Sequence, residues 1–106
     1  MNAIDLAWDI VARFADSEPT PPKSFLDDWV QVADDEAKHF LLLAERLQDL
    51  GSAYGALPAH DGLWQASQDT AHDLLVRLAI VPLVLEARGL DVTPAMIGKL
   101  RAAGDD

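Results

Sequence analysis

The sequence predicts an all-α fold: a helical bundle of three main helices with a short fourth helix at the C-terminus, in a single domain spanning residues 1–106. Three observations carry this. Apolar residues recur at helical spacing through each long segment, the interruptions fall at Pro and Gly clusters, and half of the residues are apolar with only six glycines. A chain of 106 residues is long enough for one modest core.

The first helix is expected over Ala3 to Ala15, where Ile4, Trp8, Val11 and Ala12 share a face with Ala7 and Phe14. Asp5 and Asp9 lie on one flank and read as exposed carboxylates favoured by the start of a helix, with metal ligation as the alternative. Pro19, Pro21 and Pro22 then forbid continuation.

Ser24 is the expected N-cap of the second helix, with Asp27 and Asp28 in its positive first turn. The helix runs through Leu50 to Gly51, the natural residue past its end, a span of about 37 Å. In its middle stands Asp34-Asp35-Glu36-Ala37-Lys38-His39-Phe40. Glu36 and His39 are three residues apart, so both side chains leave the same face about one turn from each other. Trp29, Val32, Ala33, Phe40, Leu43 and Leu47 lie along that broad stripe, so an acid and an imidazole are expected to face a helical core. Charge kept there needs a metal ion, a hydrogen-bonding partner or neutralisation.

The connection from Gly51 to Gly62 is long enough to return along most of the preceding helix, which would set the second and third long helices parallel. His60 in it reads as a loop-to-helix hydrogen-bonding residue. The third helix is expected from Leu63 or Trp64 to Arg88, with Gly89 as its cap. Leu75, Ala79, Pro82, Leu83 and Glu86 share one face, making Glu86 a second carboxylate on an apolar stripe, and Pro82 should kink the helix one turn before it. His72 lies about 21 Å along the axis from Glu86, too far to share a metal, and reads as a buried structural histidine. Thr93-Pro94 opens a short helix that runs to Ala103.

Composition narrows function. The absence of cysteine rules out disulfides, zinc thiolates and iron–sulfur clusters, so any metal must be held by oxygen and nitrogen. A formal net charge of -10 argues against nucleic-acid partners, which need clustered Lys and Arg. The N-terminus lacks a basic signal-peptide region, and the most hydrophobic run, Leu74 to Leu85, is interrupted by Arg77 and Pro82 and too short to span a bilayer. A cytoplasmic protein with no membrane or nucleic-acid partner is the expectation.

Five runs, Ala3-Ile4-Asp5-Leu6-Ala7, Asp34 through Leu47, Leu57 through Trp64, Thr70 through Leu75 and Leu85 through Pro94, resemble the bacterial ferritin-like family catalogued as domain of unknown function 455. The resemblance covers essentially the whole chain. It implies a four-helix, carboxylate-bridged metal bundle, distantly similar to tRNA hydroxylases and other di-iron proteins, with Glu36, His39 and Glu86 as metal ligands and iron or manganese as the cofactor. It also implies a Glu upstream of the Ala3-Ile4-Asp5-Leu6 run and a further helix bearing a second Glu-x-x-His, so this chain reads as a truncated member. Two outcomes are open. A homodimer or higher homo-oligomer could unite two Glu-x-x-His units and two single Glu residues into a di-metal centre, in its intact form an oxidase or hydroxylase. Alternatively the site is incomplete, no cofactor is held, and the chain is a metal-free helical structural or interaction module.

Overall fold

The computed structural model describes residues 2–105, and every regular element among them is helical. The elements are α1 (Asn2–Phe14), α2 (Lys23–Asp49), α3 (Gly62–Asp69), α4 (Leu74–Ile80), a π-helical segment (Val81–Glu86) and α5 (Arg88–Ala102). Ala87, between the last two, is itself in the α region, so α4, the π segment and α5 form one nearly unbroken rod.

The boundaries of α1 and α2 follow the sequence closely. Lys23 opens α2, with Pro22 at the cap position and no side-chain cap bond, so Ser24 does not cap it. At the other end Gly51 adopts φ +74°, and the N–H groups of Gly51 and Ser52 donate to the carbonyls of Gln48 and Leu47 at 2.9 and 2.8 Å. This is the paired closure that a left-handed glycine permits.

The third predicted helix is corrected in two ways. It breaks after Asp69, because Thr70 and Asp73 offer the backbone other partners. The Thr70 hydroxyl donates to the Ala66 carbonyl at 2.8 Å, and the Asp73 carboxylate accepts from the Val76 N–H at 3.0 Å, capping α4. The helix also does not stop at Gly89. It continues through Thr93 and Pro94 to Ala102, so the expected short C-terminal helix is the far end of the same rod. The Thr93 hydroxyl, instead of capping, donates to the Gly89 carbonyl at 2.6 Å. Pro82 leaves its mark as a π turn: the Ala87 N–H donates five residues back to the Pro82 carbonyl at 3.1 Å.

Side-chain neighbours fix the directions. Trp8 faces Val30 and Ala33, while Ala3 lies beside Glu36, so α1 is antiparallel to α2. Leu63 sits by Ala3, and Ser67 reaches Asp9, so α3 runs with α1. Arg77 meets Asp9 and Glu86 lies by Ala3, so the α4 rod runs parallel to α2. The connection after Gly51 does return along α2, with Tyr54 packed edge-on against Phe40 at 5.1 Å between centroids.

Helix lengths then dictate the shape. α1 has 13 residues, about 20 Å, against 27 residues or about 40 Å for α2, so it covers only half of its neighbour. The core of Leu6, Ala7, Ile10, Phe14, Ala33 and Val81 is confined to the covered end. Beyond it the second half of α2 and all of α5 project as two prongs. α5 buries no residue at all, and its far end is tied to α2 by a contact between Arg46 and Asp105. The molecule extends 50 × 24 × 23 Å, with a radius of gyration of 15.9 Å against about 13 Å for a compact chain of this length.

Candidate functional site

Two places bring ionisable side chains from different helices together. At the covered end, Arg77 is completely buried and Asp9 is only 12% exposed, at 2.5 Å from each other. The Arg77 guanidinium also donates to the Thr70 hydroxyl at 2.8 Å and to the Ser67 carbonyl, and it lies 5.6 Å from the centre of the Phe14 ring. Arg13 and Ser67 complete the shell around Asp9. Burial alone would push the Asp9 carboxyl up, but hydrogen bonds from Arg13 and Arg77 and their positive charges prevail and hold it below its ordinary value. No buried side-chain donor or acceptor among the described residues is left unpaired. Asp9 is therefore not the exposed carboxylate that its position near the start of α1 suggested. Arg77, which in the sequence reads only as an interruption of an apolar run, is thus a buried organising residue, and its position between Val76 and Leu78 is the sequence signal for that burial.

The second place lies at the base of the prongs. A cleft of about 470 Å³ is lined by Ala3, Glu36, Leu63, Glu86, Arg88 and Val92 among others, so the starts of α1, α3 and α5 meet the middle of α2 and the end of the π segment. Two of the three residues singled out from sequence, Glu36 and Glu86, thus line one cleft although 50 positions separate them. Glu86 is delivered by the π turn, a distortion common at functional sites. Burial pushes its carboxyl above the ordinary value, and the negative charge of Glu36 pushes further the same way. Glu86 as a residue keeps open surface, so the effect is that of a partly screened pair. Among the described residues no ion pair joins Arg88 to either carboxylate.

His39, the third residue, contacts Glu36 with Nδ1 at 3.5 Å from the carboxylate, but its side chain is 63% exposed against 34% for Glu36. The expectation that both face a core is met for Glu36 in part and not for His39. The reason is the length mismatch: the stripe beyond Glu36 has no helix over it, and Leu41, Leu42 and Leu43 are all largely exposed. The neighbouring Asp34 and Asp35 are solvated partners of Lys38 at 2.6 and 3.3 Å. His60 performs the loop role expected of it, its Nδ1 accepting from the Gly62 N–H at 3.0 Å. A Cβ at Gly62 would fall 2.2 Å from that imidazole. His72 is exposed in the break between α3 and α4 and is not a buried structural histidine. Among the described residues no three His, Asp or Glu side chains converge closely enough to hold a metal ion. None of the described helices is long and apolar enough to cross a membrane.

A family model described as a protein of unknown function, DUF455, matches residues 1–106. An uncharacterized protein of Haemophilus influenzae is 47% identical over 107 residues, which is 98% of this chain and 37% of that relative's length. The chain therefore spans little more than a third of the curated relative it matches. No solved structure matches it.

Proposed function

This chain belongs to the DUF455 family, and we propose that its Glu36–Glu86 cleft is one half of a carboxylate and histidine metal centre of the ferritin-like kind. The observation that carries the reading is the approach of two carboxylates with no cationic side chain paired to both. Like charges in a common cleft repel, and a divalent cation between them removes the repulsion while satisfying their lone pairs. Oxygen donors with one imidazole suit iron or manganese. The parallel course of α2 and the α4 rod, joined by a long return connection, further supports a ferritin-like arrangement.

In this reading Glu86 and Glu36 face the cation from two helices. His39, already directed at the Glu36 carboxylate, either turns its imidazole inward as a neutral ligand or holds Glu36 in position. The remaining donors come from outside this half. Bound iron or manganese supplies dioxygen activation, the chemistry of an oxidase or hydroxylase. Arg88 at the rim is the competing partner, since a guanidinium swung inward neutralises the same pair without metal.

Among the described residues no three His, Asp or Glu side chains converge, which favours a second reading, a metal-free helical interaction module in which Glu36 and His39 serve each other. Manganese(II) titration of the chelator-stripped chain, with Glu36→Gln, Glu86→Gln and His39→Ala alongside, separates the two. The metal reading expects binding that each Gln variant weakens on the order of tenfold or more. Equal binding by wild type and both Gln variants, or none by wild type, leaves the interaction module.

A further inference from the structure

We infer that two copies of this chain associate through the prongs, α5 of each lying against the second half of α2 of the other, and that this interface roofs the Glu36–Glu86 cleft. The roofing rests on the cleft being the functional site; the association does not.

The first argument is area. The chain exposes 7672 Å², roughly a third more than the ~5,800 Å² expected of a compact protein of its mass. The excess of about 1,900 Å² per chain falls within what permanent homodimers bury, of order 1,000–2,500 Å² on each partner.

The second argument is where the excess lies. Leu41, Leu42 and Leu43 leave α2 in three directions, and Leu90, Met96 and Leu100 line α5, all of them exposed and Leu90 at 80%. A helix that is apolar around its circumference is a helix with neighbours on several sides. α5 also contains Gly89, Pro94 and Gly98, so intrinsic propensity does little to hold it. With no buried residue of its own it depends on a cover.

The third argument selects the cover. The half of α2 in this interface, Glu36 to Asp49, carries Glu36, Glu45 and Asp49 against Lys38 and Arg46 and is close to neutral, whereas α5 carries three basic residues and one acidic. On a chain of net charge -10 a random second copy is repelled, but α5 of one copy set against this half of α2 of its partner, unlike α5 set against α5, brings no two like-charged helices together.

The fourth is continuity with the cleft. Leu83 and Leu90 flank Glu86 about one turn away on either side, and Leu42 and Leu43 follow His39 by about one turn. A partner seated on these leucines therefore closes over Glu36, His39 and Glu86 and brings its own set of the three to the same interface.

The test is the solution mass of the chelator-stripped chain by sedimentation or light scattering at micromolar concentration. Twice the 11.5 kDa of one chain is expected. Met96→Asp and Leu43→Asp, one on each prong and both at exposed positions, are expected to give the single-chain mass with unchanged helical circular dichroism. A monomeric wild type, or variants that still pair, overturns the association. Manganese(II) binding by the monomeric variants reads the roofing: weakening on the order of tenfold supports it, and wild-type affinity overturns it. If wild type binds no manganese, the metal reading falls by itself while the masses still decide the association.

Discussion

The Asp9–Arg77 centre and the Glu36–Glu86 cleft are built from the same materials and solve opposite problems. In the first, one carboxylate is met by two guanidiniums and the Ser67 hydroxyl inside a closed end of the bundle, and Arg77 reaches on to the Thr70 hydroxyl, so these polar groups hold α1, α3 and α4 together. In the second, two carboxylates share a cleft at the base of the prongs, and among the described residues the Arg88 at its rim is ion-paired to neither. A fold tolerates the first indefinitely. It tolerates the second through a proton on Glu86, through Arg88 swung inward or through a cation from outside the chain, and this openness is why the proposed function is placed at the cleft and not at the buried centre.

The comparison breaks most readily at Arg77. Arg77→Ala removes one of the two guanidiniums that hold Asp9, leaves the Ser67 carbonyl and the Thr70 hydroxyl without their donor and opens a cavity beside Phe14, a loss of about 2–4 kcal/mol. For a chain with so small a core this abolishes cooperative unfolding in urea. The double variant Asp9→Leu with Arg77→Met, which replaces the pair by apolar groups, should recover most of that loss. A single Arg77→Ala chain as stable as wild type would sink the claim that the closed centre organises the fold.

Opposite pH responses are the next largest effect. Asp9 has its folded-state pKa below the unfolded value of about 3.9. The stability it contributes is present above that value and is lost as pH falls through the depressed folded one. Glu86 has its folded-state pKa above the unfolded value of about 4.3. Its contribution is complete below that value and is lost as pH rises through the raised folded one. Urea midpoints measured across the acid range should therefore fall steeply toward low pH in wild type, and Glu86→Gln should remove a shallow decline on the higher side. Glu86→Gln should also raise metal-free stability near pH 7 by a fraction of a kcal/mol, the scale of a partly screened pair. A decrease there would mean that Arg88 or another cation already balances the cleft.

These contrasts also mark what the sequence could convey. Periodicity and punctuation were enough for α1 and α2, because prolines 19, 21 and 22 and Gly51 act through the local backbone alone. Glu36 and Glu86 were legible as two carboxylates on apolar stripes, but the helix that the loop after Gly51 leads into, α3, runs against α2, and the expected parallel course belongs only to the α4 rod beyond the turn at residues 70–73. The break at residues 70–73 was not legible from period, since Thr70 and Asp73 interrupt the helix only with Arg77 buried behind them, a tertiary arrangement that no local pattern records. The extension of α5 through Thr93 and Pro94 misled for the converse reason: a motif that starts helices is also tolerated within one when the missing N–H leaves a carbonyl in solvent. The exposure of His39 depends on what covers that turn of α2, a tertiary relation that a stripe on one helix does not record.

The smallest effect is the most discriminating. In the monomeric Met96→Asp background, His39→Ala should change stability by no more than about 0.5 kcal/mol, because a side chain largely in solvent has little to lose when its imidazole goes. The same substitution in the wild-type chain is placed under the partner's prong. If the urea midpoint of the wild-type chain, which as a dimer shifts with the logarithm of protein concentration, falls on His39→Ala by more than it does in the monomer, His39 is covered by the second copy; if the two backgrounds respond identically, the imidazole stays wet and the cleft is roofed from the α5 side alone.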